Sequence, residues 1–130
     1  MYKVLLVDDE YMITEGLKRL IPFEKWDMEV VATANHADDA LDYVRDHPVD
    51  VVISDVNMPD KTGLEMIGEM KELLPDAYYI LLSGYQEFDY VKKAMNLNVV
   101  DYLVKPVDKV ELEHLLEKIL GQLREKVHGP

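Results

Sequence analysis

Cysteine is absent from the 130 residues, which excludes disulfides, thiol catalysis and cysteine-based zinc sites and fits a reducing compartment such as the cytoplasm. Aromatic residues are sparse, at 8% against 48% apolar residues overall, a ratio normal for a globular core. Positive charge is also scarce: 14 Lys and Arg face 26 Asp and Glu, leaving a formal charge of −12. A surface that acidic repels nucleic acid and anionic membranes, so direct binding to either is not expected. No apolar stretch approaches the roughly 18 residues that a membrane span needs. Met1-Tyr2-Lys3 leads straight into an apolar run with no small-residue cleavage site, so no secretory signal peptide is expected. The length suits one domain, able to bury roughly two thirds of its unfolded surface without metal or disulfide staples.

What is present alternates. Five apolar runs, Val4–Val7, Val30–Ala34, Val49–Ser54, Tyr78–Leu82 and Val99–Val104, read as buried strands. Between them, helical periodicity links Ile13, Leu17, Leu20 and Ile21, then Ala37, Ala40, Leu41 and Val44, then Leu64, Ile67, Met70 and Leu74. A weaker fourth stretch carries Phe88, Val91, Ala94 and Met95, and the clearest, fifth stripe runs through Leu112, Leu115, Leu116, Ile119 and Leu123. Pro22, Pro48 and Pro75 fall where the first three helices should stop, and Asn35 and Asp108 are candidate N-caps. The pattern predicts an α/β (βα)5 fold, a doubly wound five-stranded parallel sheet with right-handed crossovers. Residues 1–120 form the expected domain, and Gly121–Pro130 a C-terminal helical extension, linker or frayed tail.

In such a sheet, ligands bind beyond the carboxyl ends of the strands, where the strand order reverses. The residues just past the apolar runs are Asp8, Asp9 and Glu10, then Asp55, then Ser83 and Gly84, then Lys105 and Pro106. With the order 2-1-3-4-5, strands 1 and 3 are neighbours and Asp8, Asp9 and Asp55 converge. Three carboxylates so close must take up protons or share a cation, and an all-oxygen site favours Mg2+ or Mn2+. Three negative charges, one divalent ion and Lys105 sum to zero, a balance suited to an incoming phosphoryl group. Asp55 is the candidate nucleophile, already ionised at neutral pH. Lys105, the Ser83 hydroxyl and nearby backbone N–H groups, as at Gly84, are candidates to offset charge on the phosphoryl oxygens.

Four fragments in order, Val7-Asp8-Asp9-Glu10, Ser54-Asp55-Val56-Asn57-Met58-Pro59-Asp60-Lys61-Thr62-Gly63, Leu82-Ser83-Gly84-Tyr85 and Asp101-Tyr102-Leu103-Val104-Lys105-Pro106, resemble the receiver domains of two-component response regulators. The resemblance spans about residues 2–120 and implies a flavodoxin-like, CheY-like fold. It implies that Asp55 takes a phosphoryl group from a sensor histidine kinase. Asp9 would bind Mg2+ directly, Asp8 mainly through water, and the Asn57 backbone carbonyl would be a further ligand. Ser83 and Lys105 would contact phosphoryl oxygens, and the Lys105-Pro106 bond would be cis. It implies a switch in which Ser83 moves toward the phosphoryl group and the Tyr102 ring turns inward. That repacks the surface of the fourth helix, fifth strand and fifth helix, a surface that also serves homodimerisation in this reading. The connection Ile21–Asp27 is similar to that of regulators with an AraC-like DNA-binding output, which would make the parent a transcription regulator. Lys61-Thr62 stands where many relatives have Met-Asp, and Leu97-Asn98-Val99-Val100 lacks a common Gly-Ala pair.

Plainer readings sit beside these. Asp8 and Asp9 could be a solvated helix start, Ser83-Gly84 mere turn chemistry, and Tyr102 a half-buried strand aromatic. Glu10 is expected to open the first helix. The seven Met read as core filler or adaptable surface, and the four His share no metal-binding spacing. The rival function is a small Mg2+-dependent aspartyl-phosphate phosphohydrolase of the haloacid-dehalogenase type. Such an enzyme keeps an acid two residues past its nucleophile, where this chain has Asn57. A binding module that never takes phosphate would normally have lost Asp55 or Lys105.

Overall fold

The computed structural model describes residues 1–84 and 101–128. Strands β1 (Tyr2–Val7), β2 (Met28–Ala34), β3 (Val51–Asp55), β4 (Tyr78–Ser83) and β5 (Asp101–Val104) form one parallel sheet in the order β2-β1-β3-β4-β5. Helices α1 (Tyr11–Leu20), α2 (Ala37–Asp46), α3 (Gly63–Leu73) and α4 (Lys109–His128) join them, with a short 3-10 turn at Phe23–Trp26. This is the expected doubly wound, flavodoxin-like order. The predicted helix through Phe88, Val91, Ala94 and Met95 lies outside the described residues, as do Tyr85, Lys92, Lys93 and the Leu97–Val100 stretch.

Strand side chains alternate between two cores, as a sheet covered on both faces requires. Leu5, Val7, Val52, Tyr79 and Leu81 pack with α2 and α3, whereas Val4, Leu6, Val51, Ile53, Ile80, Leu82 and Leu103 pack with α1 and α4. The three prolines act through the residue before them. Ile21, His47 and Leu74 take ψ of 118°, 85° and 73°, which closes α1, α2 and α3 because the proline ring bars the preceding residue from helical geometry.

Two capping expectations divide. Asp108 Oδ1 accepts the Glu111 N–H at 3.1 Å and caps α4. Asn35 does not cap α2: His36 holds that position without a side-chain bond, and the distant Asp60 carboxylate takes the Ala37 and Asp38 N–H groups instead. Glu10, expected to open α1, is its N-cap residue, in extended conformation and without a side-chain cap bond. The expected fraying at Gly121 is also corrected, because α4 runs on to His128 and buries Leu123. A helix continues where its apolar stripe still finds a core.

The Ile21–Asp27 connection is tied down rather than loose. Ile21, Phe23 and Trp26 are buried with α4, and the Asp27 carbonyl accepts the Tyr2 N–H at 2.7 Å. Trp26 therefore sits at the amino end of the sheet, roughly 20 Å from the opposite rim for strands of this length. Its fluorescence should stay unchanged on Mg2+ addition yet shift to the red on unfolding in denaturant. A titration in which Mg2+ strongly quenches it would contradict this placement.

Candidate functional site

Each strand that ends at the carboxyl rim delivers its polar residue as a consequence of register. Val7 pairs with Ser54, so Asp8 and Asp55 leave neighbouring strands side by side, and Ser83 pairs with Val104, which sets Lys105 beside them. Asp8 and Asp55 are only 1% and 4% exposed. The Lys105 ammonium binds both, at 2.9 Å to Asp8 Oδ2 and 3.4 Å to Asp55 Oδ1. The Glu10 N–H donates to Asp8 Oδ1 at 2.9 Å, and the Asn57 N–H to Asp55 Oδ1 at 3.4 Å. The Lys105-Pro106 bond is cis.

Asp9 and Glu10 are exposed, and their carboxylates gather with that of Asp8 so that one oxygen of each lies within 4.8 Å of the others. The expected trio was Asp8, Asp9 and Asp55; the trio that gathers has Glu10 in place of Asp55, which is joined to Asp8 through Lys105. Counting all four carboxylates and the ammonium, one divalent ion does not reach neutrality: −4 + 1 + 2 leaves −1. The excess resides on an exposed side chain, where water screens it. The donor set is all oxygen, half buried and half open to water, which fits Mg2+ or Mn2+.

Burial pushes the Asp55 carboxyl up to about 6, and the neighbouring Asp8 charge adds to this, while Lys105 and the Asn57 N–H oppose it. Burial pulls the Lys105 ammonium down, but its hydrogen bond to Asp8 and the charges of Asp55 and Asp8 outweigh that and hold it above the ordinary lysine range. Ser83 is fully buried, and among the described residues its Oγ has no hydrogen-bond partner. The same holds for the buried hydroxyl of Tyr102, whose ring packs against the α2–α3 core. Gly84 is exposed beside Ser83.

The loop after Asp55 is held from within. The Gly63 N–H donates to the Val56 carbonyl at 2.7 Å, and a Cβ at Gly63 would lie 2.2 Å from the Asp55 carbonyl oxygen. Only glycine permits that approach. Thr62 caps α3 by accepting the Glu65 N–H at 3.1 Å.

The fold has this strand order, with acids and a lysine gathered on one rim, and comparison with known proteins places it in a family. The model of the response regulator receiver domain family matches residues 4–117, and the chain belongs to that family. It is 41% identical over 99% of its length to an uncharacterized response regulatory protein of Staphylococcus epidermidis, and covers 51% of that protein. It is 37% identical over 97% of its length to the transcriptional regulatory protein HptR of Staphylococcus aureus, covering 49% of it. The chain thus spans about half the length of these curated relatives. Among solved structures it is similar to the REC domain of AraT, a response regulator from Geobacillus stearothermophilus, with a TM-score of 0.90, 38% identity and coverage of 96% of this chain and 97% of that one. A two component transcriptional regulator AraC from Clostridium phytofermentans gives a TM-score of 0.88 at 28% identity, covering 96% and 97%. Among the described residues no helix is long and apolar enough to cross a membrane.

Two outcomes follow from the geometry. An acid whose carboxyl is raised by folding favours the folded state only while it is protonated, so stability falls as pH rises from about 4 through about 6. In metal-free buffer, Asp55→Asn should be more stable than wild type at pH 7.5 by on the order of 2 kcal/mol and converge with it near pH 4. Paired denaturant titrations at the two pH values check this, and Lys105 does not interfere because its contribution is lost only above the ordinary lysine range. Gly63→Ala should cost about 1–3 kcal/mol, since the added methyl meets backbone rather than a yielding side chain; a denaturation midpoint equal to wild type would contradict the close approach.

Proposed function

We propose that this domain is the phosphoacceptor of a two-component system, with Asp55 taking a phosphoryl group from a phosphohistidine of a sensor histidine kinase. The observation that carries the reading is the sharing of one Lys105 ammonium by two buried carboxylates at the carboxyl rim. A side chain of Asp55 offers a lone pair to phosphorus, the P–N bond of the donor breaks, and the departing imidazole takes up a proton. Asp8, Asp9, Asp55 and the Asn57 carbonyl are the residues that would hold Mg2+. When bound, Mg2+ (or Mn2+) supplies positive charge against the phosphoryl oxygens. Lys105 moves its ammonium from the Asp55 carboxylate to a phosphoryl oxygen, so that its charge follows the developing negative charge. The Ser83 Oγ and the N–H of Gly84 donate to the remaining oxygens.

Ser83 and Tyr102 form the switch in this reading. A Ser83 hydroxyl drawn toward the phosphoryl group frees space beside β4 that favours the inward position of the Tyr102 ring, whose hydroxyl is already buried in this state. The surface made by the residues between β4 and β5, by β5 and by α4 then favours one of two packings, which partners or a second copy read. The receiver takes in residues 1–120 and the turn of α4 beyond them that buries Leu123, and the relatives of twice the length carry a further half that serves as output in this reading. The names of HptR and of the Clostridium regulator support control of transcription by that half, in the cytoplasm. The phosphohydrolase alternative keeps no specific support, since Asn57 occupies the place of its second acid.

With acetyl phosphate and Mg2+, intact-mass spectrometry should find one labile phosphoryl group, mapped to Asp55 and absent in Asp55→Asn. Lys105→Ala should label more slowly by roughly one to two orders of magnitude. Wild type without an adduct, or Asp55→Asn with an unchanged one, would overturn the reading.

A further inference from the structure

The loop that leaves Asp55 is fastened to a helix that takes no part in the chemistry. The first N–H groups of α2 need acceptors, and its own N-cap residue His36 offers no side-chain bond. Asp60 supplies both, with Oδ1 at 3.2 Å from the Ala37 N–H and Oδ2 at 3.0 Å from that of Asp38. The adjacent Lys61 ammonium bridges two helices, at 3.4 Å to Asp38 of α2 and 2.5 Å to Glu69 of α3. Burial is the largest single influence and opposes ionisation, but hydrogen bonds from the N–H groups of Asp38, Ala37, Lys61 and Asp60 itself together outweigh it and hold the Asp60 carboxyl below its usual range, so the cap is ionic at neutral pH.

The other side of the loop abuts the site. Gly63 lies against the Asp55 carbonyl, and the Asn57 N–H reaches the Asp55 carboxylate. The segment from Asp55 to Gly63 is therefore held at the rim by close backbone contact and at its outer turn by α2 and α3. Little slack separates the two attachments.

We propose that Asp60 and Lys61 are positioning residues for the phosphoacceptor site, setting the Asp55 carboxylate and the Asn57 carbonyl by way of α2, so that occupation of the site and order at the amino end of α2 are coupled. The inference rests on the reading of Asp55 as phosphoacceptor. A carboxylate taking two N–H bonds is a stronger tie than an exposed ion pair, so Asp60 carries most of the coupling and Lys61 adds to it. Linkage makes the coupling reciprocal: a loop set by α2 to bind the cation better is a loop whose hold on α2 tightens when the cation binds.

The test measures Mg2+ affinity of the full chain by calorimetry, with Asp60→Ala, Asp60→Asn and Lys61→Ala beside wild type, and follows amide exchange at Ala37 and Asp38. Asp60→Ala should weaken Mg2+ binding about three- to tenfold and Lys61→Ala about twofold, with Asp60→Asn, which keeps one acceptor oxygen, in between. In wild type, exchange at Ala37 and Asp38 should slow on saturation with Mg2+ and acetyl phosphate, and this response should vanish in Asp60→Ala. A cap with a purely structural role would lower the thermal midpoint while leaving Mg2+ affinity and its effect on exchange untouched, and that result overturns the proposal. Should Asp60→Ala fail to fold, the milder Asp60→Asn and Lys61→Ala decide in the same way. Wild type that binds no Mg2+ and takes no phosphoryl group sinks the phosphoacceptor reading and this inference together. Wild type that labels at Asp55 while every variant binds Mg2+ equally well sinks this inference alone.

Discussion

One ammonium between two buried carboxylates is the constraint on which the rest of the molecule turns. Asp8 and Asp55 are almost fully removed from water, and each would be costly to ionise there without a partner. Lys105 cannot neutralise both, and the acid that remains under-compensated is Asp55, whose carboxyl burial raises to about 6. On the proposed reading, the same under-compensation that weakens the metal-free fold favours added positive charge at the site. A site of this kind exchanges stability for function at a single residue.

That arrangement is possible only because the strand order places β1 beside β3, with β5 two strands from β3 and three from β1, and because Lys105 is long enough to reach back across β4 to both acids. The sheet's two cores hold these positions rigidly. Leu5 and Val7 face one helical layer while Val4 and Leu6 face the other, so a one-residue slip of β1 would carry apolar side chains to the wrong core and remove Asp8 from the rim. The precision of the acidic cluster is thus a by-product of hydrophobic packing.

Most of the frame was legible in residue order because its determinants are local. Strand runs announce themselves by β-branched composition, and α1, α2 and α3 each close at a C-cap residue directly before a proline, for a steric reason that acts between neighbours. The convergence of Asp8, Asp55 and Lys105 follows from topology once the order 2-1-3-4-5 is granted. What escaped was long-range or conformational. The Asp60 cap on α2 joins residues 23 positions apart and has no sequence signature. Glu10 entered the acidic group because the chain at that point stays extended, which turns its carboxylate toward Asp8 and Asp9 instead of along α1. The run of α4 beyond Gly121 depended on Leu123 finding a core, which periodicity suggested but a glycine obscured.

Two buried hydroxyls add the last step. A hydroxyl withdrawn from water without a hydrogen bond costs about 1–3 kcal/mol, and Ser83 Oγ and the Tyr102 hydroxyl both stand in that condition among the described residues. They belong to β4 and β5, the strands that flank the path from Asp55 to Lys105. On the proposed reading, an acceptor-rich phosphoryl group relieves the cost at Ser83 directly. A group satisfied in one state and orphaned in the other is what gives a ligand differential affinity for two packings, and without such a difference no ligand shifts a conformational equilibrium. On that reading, the energy available for switching is of the same order as one unsatisfied hydrogen bond.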